Sequence, residues 1–355
     1  MHLPRTRILL DNDTGIDDAL ALAYLSACEH VEIVAVTSTA GNVDADQVAA
    51  NNRALLELCG QPQVPVLIGA RAPLRIKLVT TEETHGPQGV GYATLPNPAP
   101  AQDPESGQDA VDFWIREARA NPGELTALLS APLTNFALAL RREPQLPWLL
   151  GKVVIMGGAF YHQGNTTPTA EWNTHVDPHA AAEVYAAYSA AAAAGLDANK
   201  LPIVCSLDTT ERFEMDPSLL TDLAAAAGCT EPEIVDAKDP EGTRSTASNP
   251  LVRYLSDALR FYFEFHRAYD QGYIAHVHDY FAAGIAAGTL EYRSRPATID
   301  VETESALFFG TTVADFRSLW GKAANASVVS WNDPQAGFLE LVQRIGALAA
   351  RLETN

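Results

Sequence analysis

Short β-branched or apolar runs alternate with longer segments of helical period over the first two hundred or so residues, and this alternation restricts the chain to a parallel α/β sheet. Parallel neighbours need long crossovers, and the helical segments supply them. Strands are expected at Arg7–Leu10, Glu32–Ser38, Val64–Ile68, Glu124–Leu129, Lys152–Met156 and Pro202–Leu207. Helices are expected at Asp17–Cys28, Asp44–Leu58, Gln108–Ala120, Asn135–Arg141 and Pro178–Ala194, the last with Asp177 at its N-cap and Pro178 at the first helical position. Beyond these come a helix from Pro250 to about Tyr269, another from about His278, strands near Ala297–Val301 and Ser327–Trp331, and a closing helix after Pro334. With no repeat and no linker, the whole chain, 1–355, is expected to form one α/β domain around a large open, mainly parallel sheet flanked by helices. Residues 78–104 and 229–249 lack regular signals and are expected as long loops bordering an active site.

Ile8 to Asp18 reads ILLDNDTGIDD, which places Asp11, Asp13, Asp17 and Asp18 within eight positions. Composition alone gives about one acid in such a window. A strand followed by a glycine turn and an amphipathic run sets these acids at the carboxyl end of a strand and in the first turn of the next helix. That edge is where open α/β sheets bind ligands. A helix N-terminus favours one or two carboxylates, but four so close raise one another's pKa unless a cation shares them. With no cysteine or paired histidine beside them, a hard ion, Ca²⁺ or Mg²⁺, fits better than zinc or copper. An EF-hand is excluded by spacing, because Gly15 and Leu22 would fall where that loop needs oxygen ligands. The bland alternative is an acidic N-cap on a solvated helix start. Asp11 stays open between direct ligation and structural support.

Charge narrows the partners. Against 24 Lys and Arg stand 44 Asp and Glu, a formal charge of −20 that disfavours nucleic-acid backbones and anionic membrane surfaces. Cys28, Cys59, Cys205 and Cys229 are widely spaced, which suits packing thiols in a reducing cytoplasm. The apolar run after Arg7 meets Asp11 too soon for a secretory signal, and the alanine-rich stretch 186–196 is too short to span a bilayer. A cytoplasmic protein acting on a small ligand is the expectation.

DNDTGIDDALAL resembles the N-terminal signature of the inosine-uridine nucleoside hydrolases, and later segments are similar in order. Thr39-Ala40-Gly41-Asn42 follows the second strand, His85-Gly86 opens a glycine-rich loop, and Leu133-Thr134-Asn135 and Met156-Gly157-Gly158 follow later strands. Gly164-Asn165, Glu171-Trp172-Asn173, Asp177-Pro178 and His278-Asp279 complete the set. The resemblance implies a nucleoside hydrolase-like fold with a Rossmann-like core, one Ca²⁺ at the floor of the site, and cleavage of ribonucleosides to ribose and base. It implies Asp13, Asp18, Asp279 and the Ser130 carbonyl as metal ligands. Asp17, Asn173 and Asp279 would hold the ribose 2′- and 3′-hydroxyls, Asn165 and Glu171 the 5′-hydroxyl, with Asn42 and Met156 also at the substrate. His278 and His85 would face the base. Relatives of this kind are commonly dimers or tetramers, so a homo-oligomer is expected.

The chemistry suits those residue types. Water near a divalent cation is acidified, Asp13 can take its proton, and a carboxylate-rich pocket favours the positive charge that builds on the ribose. His278 is the expected acid for the leaving base, with His85 from the loop beside it. Thr14 replaces a usual proline, Tyr280 another, and Ser130-Ala131-Pro132 stands where relatives often have Thr-Gly-Gly. His276 has no assigned role, and His162, His175 and His266 are expected as ordinary surface or core residues. Two other function classes remain. A non-catalytic Ca²⁺-dependent nucleoside binder would need neither Asp13 nor His278. An aspartyl-nucleophile phosphohydrolase would need Thr or Val at Gly15 and a phosphate-binding lysine, in a chain with five lysines.

Overall fold

The computed structural model describes residues 4–95 and 109–353. Its strands are β1 (Thr6–Asn12), β2 (Val31–Ser38), β3 (Val66–Ile68), β4 (Leu125–Leu129), β5 (Lys152–Met156), β6 (Ile203–Cys205), β7 (Glu214–Met215), β8 (Ala275–His276), β9 (Tyr292–Val301), β10 (Thr312–Asp315) and β11 (Ala326–Asn332). Nine of them form one sheet in the order β10-β9-β11-β6-β5-β4-β1-β2-β3, and β7 pairs with β8 separately. From β3 to β11 every pairing is parallel, whereas β9 runs antiparallel to both β11 and β10. The α/β expectation therefore holds.

Buried strands in a covered sheet send alternate side chains to opposite layers. On β1, Ile8 and Leu10 join one core and Leu9 the other; on β5, Val154 and Met156 oppose Val153 and Ile155. Helices Ile16–Ala27, Pro250–Ala268, His278–Ala287 and Pro334–Glu353 cover the first face, and Ala110–Ala120, Thr134–Arg142 and Pro178–Ala193 the second. Each fully buried Leu, Ile or Val contributes roughly 1.5–3 kcal/mol of transfer free energy, so this two-sided burial holds the central strands in place.

The order β3-β2-β1-β4-β5-β6 reverses direction between β1 and β4. Chain connections leave such a switch point on opposite faces and open a crevice at the carboxyl ends of the strands. Here the ladder runs to the last residue: Ser130 N–H donates to the Asp11 carbonyl and Thr39 N–H to that of Asn12, both at 2.9 Å. The segments starting at Asp13, Thr39 and Ser130 thus meet at one edge.

Most expected boundaries lie within a few residues of those observed, and the differences have local causes. β1 continues through Asp11 and Asn12, because both pair with Thr37 and Ser38 of β2. The helix Ala110–Ala120 is capped by Asp109, which accepts from the N–H groups of Val111 and Asp112; Gln108, the expected start, lies outside the described residues. β9 begins five residues earlier than expected, over an exposed stretch containing Arg293, Arg295 and Pro296 that carries no strand signal of its own. Its antiparallel partner β11 supplies the order that the residues lack. β10 and the helix Ser218–Ala226 were not expected.

The two expected loops differ. Residues 78–95 hold a helical turn, Glu82–His85, and a glycine-rich bend; 96–104 lie outside the described residues. Asn51 Nδ2 donates to the Gln88 carbonyl at 2.7 Å, and Tyr92 hydroxyl donates to Glu264. The 229–249 segment is held on the helix Pro250–Ala268 by a buried ion pair. Arg260 meets Glu233 at 3.4 Å and Asp239 at 2.9 Å, while Ser245 Oγ donates to Glu233. No residue of 229–249 lines the principal cavity.

Candidate active site

Two helix N-termini converge on the crevice. Asp17 and Asp18 stand in the first turn of Ile16–Ala27 and Asp279 in the first turn of His278–Ala287. The partial positive charge of both helix ends faces the carboxylates, which is the sign that favours them. Gly15 makes the turn between β1 and the first helix because nothing larger fits. A Cβ there would sit 2.6 Å from Asn42 Nδ2 and 2.9 Å from the His85 ring. Gly41 is equally constrained, since its Cβ would lie 2.0 Å from Asp13 Oδ2. Thr14, in place of proline, donates to Asn52 Oδ1 at 2.9 Å, and Asn52 in turn bonds Asn12. A hydrogen bond thus replaces the rigid ring. Tyr280, the other departure, is fully buried and donates to the Gly337 carbonyl at 2.6 Å.

The carboxylates divide by their partners. Asp11 is saturated: Thr37 Oγ1 at 2.6 Å, Thr39 Oγ1 at 3.1 Å and Asn135 Nδ2 at 2.8 Å all donate to Oδ1. It ties β1 to β2 and to the turn after β4. That settles its open role as structural support. Asp13, fully buried, accepts from Asn42 N–H at 2.8 Å through Oδ2, while its Oδ1 has no hydrogen-bond partner among the described residues. Asp18 accepts from Gly15 N–H at 2.8 Å and Ser130 Oγ at 2.9 Å.

One oxygen from each of Asp17, Asp18 and Asp279 lies within 4.8 Å of the others. Asp13 is not in that trio, but the negative charges of Asp18 and Asp17 both act on it. Burial, followed by the neighbouring negative charges, lifts Asp13, Asp17 and Asp279. Asp17 rises to about 7, and Asp13 and Asp279 stand well above the usual carboxylate range. Asp18 rises to about 6, chiefly by burial. Such a cluster is stable ionised only with a cation to share it. The donor set is all oxygen, three carboxylates lie close enough for one ion, and a buried carboxylate oxygen stands without a partner. These residues fit a hard divalent metal.

A cavity of about 290 Å³ opens above the acids, at the lower end of small-ligand pockets, which span about 300–1,000 Å³. Asp13, Asp17, Asn42, Met156, Asn165, Glu171, Asn173 and Asp279 all border it, with Ser130, His85 and His278. Of the predicted site residues only Asp18 is absent from the wall, lying beneath it. Glu171 caps the short helix Trp172–Val176, accepting from Asn173 and Thr174 N–H, and takes Gly158 N–H at 3.0 Å. Asn173 Nδ2 donates to the Ser130 carbonyl at 3.2 Å. Asn165 Oδ1 accepts from Trp172 N–H at 2.9 Å, leaving its NH₂ to donate.

Imidazoles line the cavity beside the acids. His85 Nδ1 accepts the Ile16 N–H at 3.1 Å, and burial drops its pKa to about 3. His278 Nδ1 lies 2.9 Å from Thr210 Oγ1, and burial, with His276 next, pushes it well below the ordinary range. These shifts favour the neutral ring in both, and a neutral imidazole still donates through its one N–H. His266 and His276, neither given a role from sequence, also line the cavity. His266 bonds the Tyr262 carbonyl at 2.8 Å. Tyr262, Phe265, His266 and Tyr269 occupy positions i, i+3, i+4 and i+7 along Pro250–Ala268 and its C-cap, a helical stripe that would have revealed them. Glu211, another wall residue, carried no such signal. Tyr273 packs on Phe263 instead, and His162 is exposed.

Buried carboxylates at the switch point of a parallel sheet, sharing a cavity of ligand size with imidazoles, define an α/β enzyme of acid–base type. A family model described as inosine-uridine preferring nucleoside hydrolase matches residues 8–338. The chain is 32% identical over 344 residues to the pyrimidine-specific ribonucleoside hydrolase RihA of Salmonella paratyphi B, covering 96% of this chain and 97% of that one. Among solved structures, the plant nucleoside hydrolase PpNRh1 superposes with a TM-score of 0.79 at 26% identity, covering 97% of this chain and all of that one. The purine-preferring ribonucleoside hydrolase of Gardnerella vaginalis shares the fold with a TM-score of 0.82 at 24% identity, covering 98% and 100%. The chain belongs to the inosine-uridine preferring nucleoside hydrolase family. It is a ribonucleoside hydrolase, an enzyme that hydrolyses N-glycosidic bonds. Among the described residues no helix is long and apolar enough to cross a membrane.

Proposed function

We propose that the enzyme is a Ca²⁺-dependent hydrolase of the inosine and uridine type, releasing ribose and free base, with Asp13 as general base. The observation that carries this reading is Asp13 Oδ1, a buried carboxylate oxygen without a partner, bordering the cavity while its other oxygen is pinned by Asn42 N–H. A base so placed can take a proton from water attacking C1′. Asp13, Asp18, Asp279 and the Ser130 carbonyl would hold the ion. Ca²⁺ accepts such a mixed carboxylate and carbonyl set, and when bound it offsets the acids' repulsion and acidifies nearby water.

The remaining residues position substrate. Asp17, Asn173 and Asp279 accept or donate to the 2′- and 3′-hydroxyls, and Asn165 and Glu171 take the 5′-hydroxyl. Glu171 is held rigidly by its three backbone N–H donors, so it can bind a hydroxyl without reorganising. Asn42 and Met156 complete the floor, and His85 and His278 meet the base as neutral imidazoles. The RihA relative is named pyrimidine-specific, which supports uridine as the better substrate of the two. One catalytic domain over 1–355, a cytoplasmic location, a homodimer or homotetramer, and no nucleic-acid or membrane partner complete the proposal.

Reducing sugar released from uridine, inosine, cytidine, adenosine and guanosine tests it, with uridine 5′-monophosphate included. Uridine should turn over fastest, and the nucleotide at least about tenfold slower, because its phosphate meets Glu171. Binding of uridine with no ribose released would instead establish a non-catalytic binder.

A further inference from the structure

Beside His278, on strand β8, His276 is held differently from every other imidazole of the cavity. Its Nδ1 lies 3.0 Å from the Glu211 carbonyl oxygen and its Nε2 lies 3.2 Å from Glu211 Oε2. A carbonyl only accepts, so Nδ1 carries a proton. Nε2 then faces the Glu211 carboxylate, so a proton entering between them can be held by either group. The other rings lack this arrangement. His85 receives a backbone N–H on Nδ1, so that nitrogen is bare, and His278 meets a hydroxyl that can serve either way.

We propose that the Glu211–His276 pair supplies the proton that leaves with the base, a role separate from that of Asp13 at the ribose. Both residues line the cavity, and the His276 ring stacks on His278 at 5.7 Å with planes 19° apart. His266 contacts it edge-on at 4.9 Å from Pro250–Ala268, and Glu214 is its strand partner on β7. Burial lowers His266 to about 4, so that neighbour adds no competing positive charge near neutrality. The step balances. Water forms the C1′–O bond and gives one proton to Asp13; the C1′–N bond breaks with its electron pair passing to the base nitrogen. The base receives the proton from His276 Nε2 or Glu211, and Asp13 returns its proton to solvent as the pair reloads.

This inference rests on the hydrolase reading, and its test separates the two. Uridine needs a protonated leaving group, whereas 4-nitrophenyl riboside releases an anion that is stable without one. For Glu211→Gln and His276→Gln we expect kcat on uridine to fall about 100-fold, near the lower bound for general acid catalysis, and the uridine to nitrophenyl kcat ratio to fall at least about 30-fold. Glu211→Asp should recover part of that ratio. Equal losses on both substrates, or an unchanged ratio, would overturn the assignment. A wild-type enzyme that released ribose from neither compound would overturn the hydrolase reading as well. Should the variants fail to fold, nitrogen NMR of wild-type His276 decides. Two protonated ring nitrogens, or one with a protonated Glu211, support the pair as proton source; a bare Nε2 beside ionised Glu211 overturns it.

Discussion

The acids and the imidazoles of the cavity solve the same physical problem in opposite ways. Among the acids, burial raises Asp18, and burial together with neighbouring negative charge raises Asp13, Asp17 and Asp279, with two helix N-termini as partial compensation. Among the imidazoles burial works downward, and the rings of His85, His266 and His278 lose charge. A carboxylate cluster deprived of water invites a cation, whereas neutral imidazoles offer hydrogen bonds at no cost in buried charge. On the proposed function, charge chemistry falls to the carboxylates at the ribose and base recognition to the neutral imidazoles, with the Glu211–His276 pair as the proposed proton source.

The strongest way to break this division is Asp13→Ala. Loss of the general base should lower kcat about 10²–10⁴-fold with little change in KM. Near wild-type ribose release from that variant would assign base chemistry elsewhere.

Next in size is the response to metal. Asp17 and Asp18 stand at about 7 and about 6 in the metal-free fold, above the ordinary 3.8. The folded state therefore binds more protons than the unfolded chain between pH about 4 and about 7, and metal-free stability falls as pH rises through that window. Calcium at a hundred times its Kd should stabilise by about 2.7 kcal/mol. Its gain in Tm should be larger at pH about 7.5 than at pH about 5, because protons compete at the lower value. Equal gains at both values, read by calorimetry, would remove the carboxylates from the cation site.

The smallest catalytic effect is expected from Asp11→Asn, two residues from Asp13 on the same strand. Its amide would face the Thr37, Thr39 and Asn135 donors, costing about 1–3 kcal/mol in unfolding free energy. The kcat of folded enzyme should stay close to wild type. A fall as large as that of Asp13→Ala would move Asp11 into the chemistry.

Much of this was legible in the chain. The alternation of apolar runs and helical segments specified a parallel sheet, because a strand buried on both faces and a crossover helix leave different periodicities. ILLDNDTGIDD pointed to the ligand-binding edge for a local reason: a strand end, a glycine and a helix start are all coded within eleven residues. The exposed first half of β9 was not legible, since its order comes from β11. Nor was the role of His276. Glu211 lies 65 positions away, and only the β7–β8 pairing brings them together.

The sequence by itself determined which carboxylates meet at the switch point, because the β1 turn and the helix after it carry Asp13, Asp17 and Asp18 within six residues. What each group does there was decided by tertiary structure. Asp11 and Asp13 look alike in the chain, yet one is saturated by three donors and the other keeps an oxygen free for the cavity. His85, His266 and His278 look like any other histidines in the chain until burial lowers all three. Protonation depends on desolvation and on the atom 3 Å away, and that atom usually comes from a distant part of the chain.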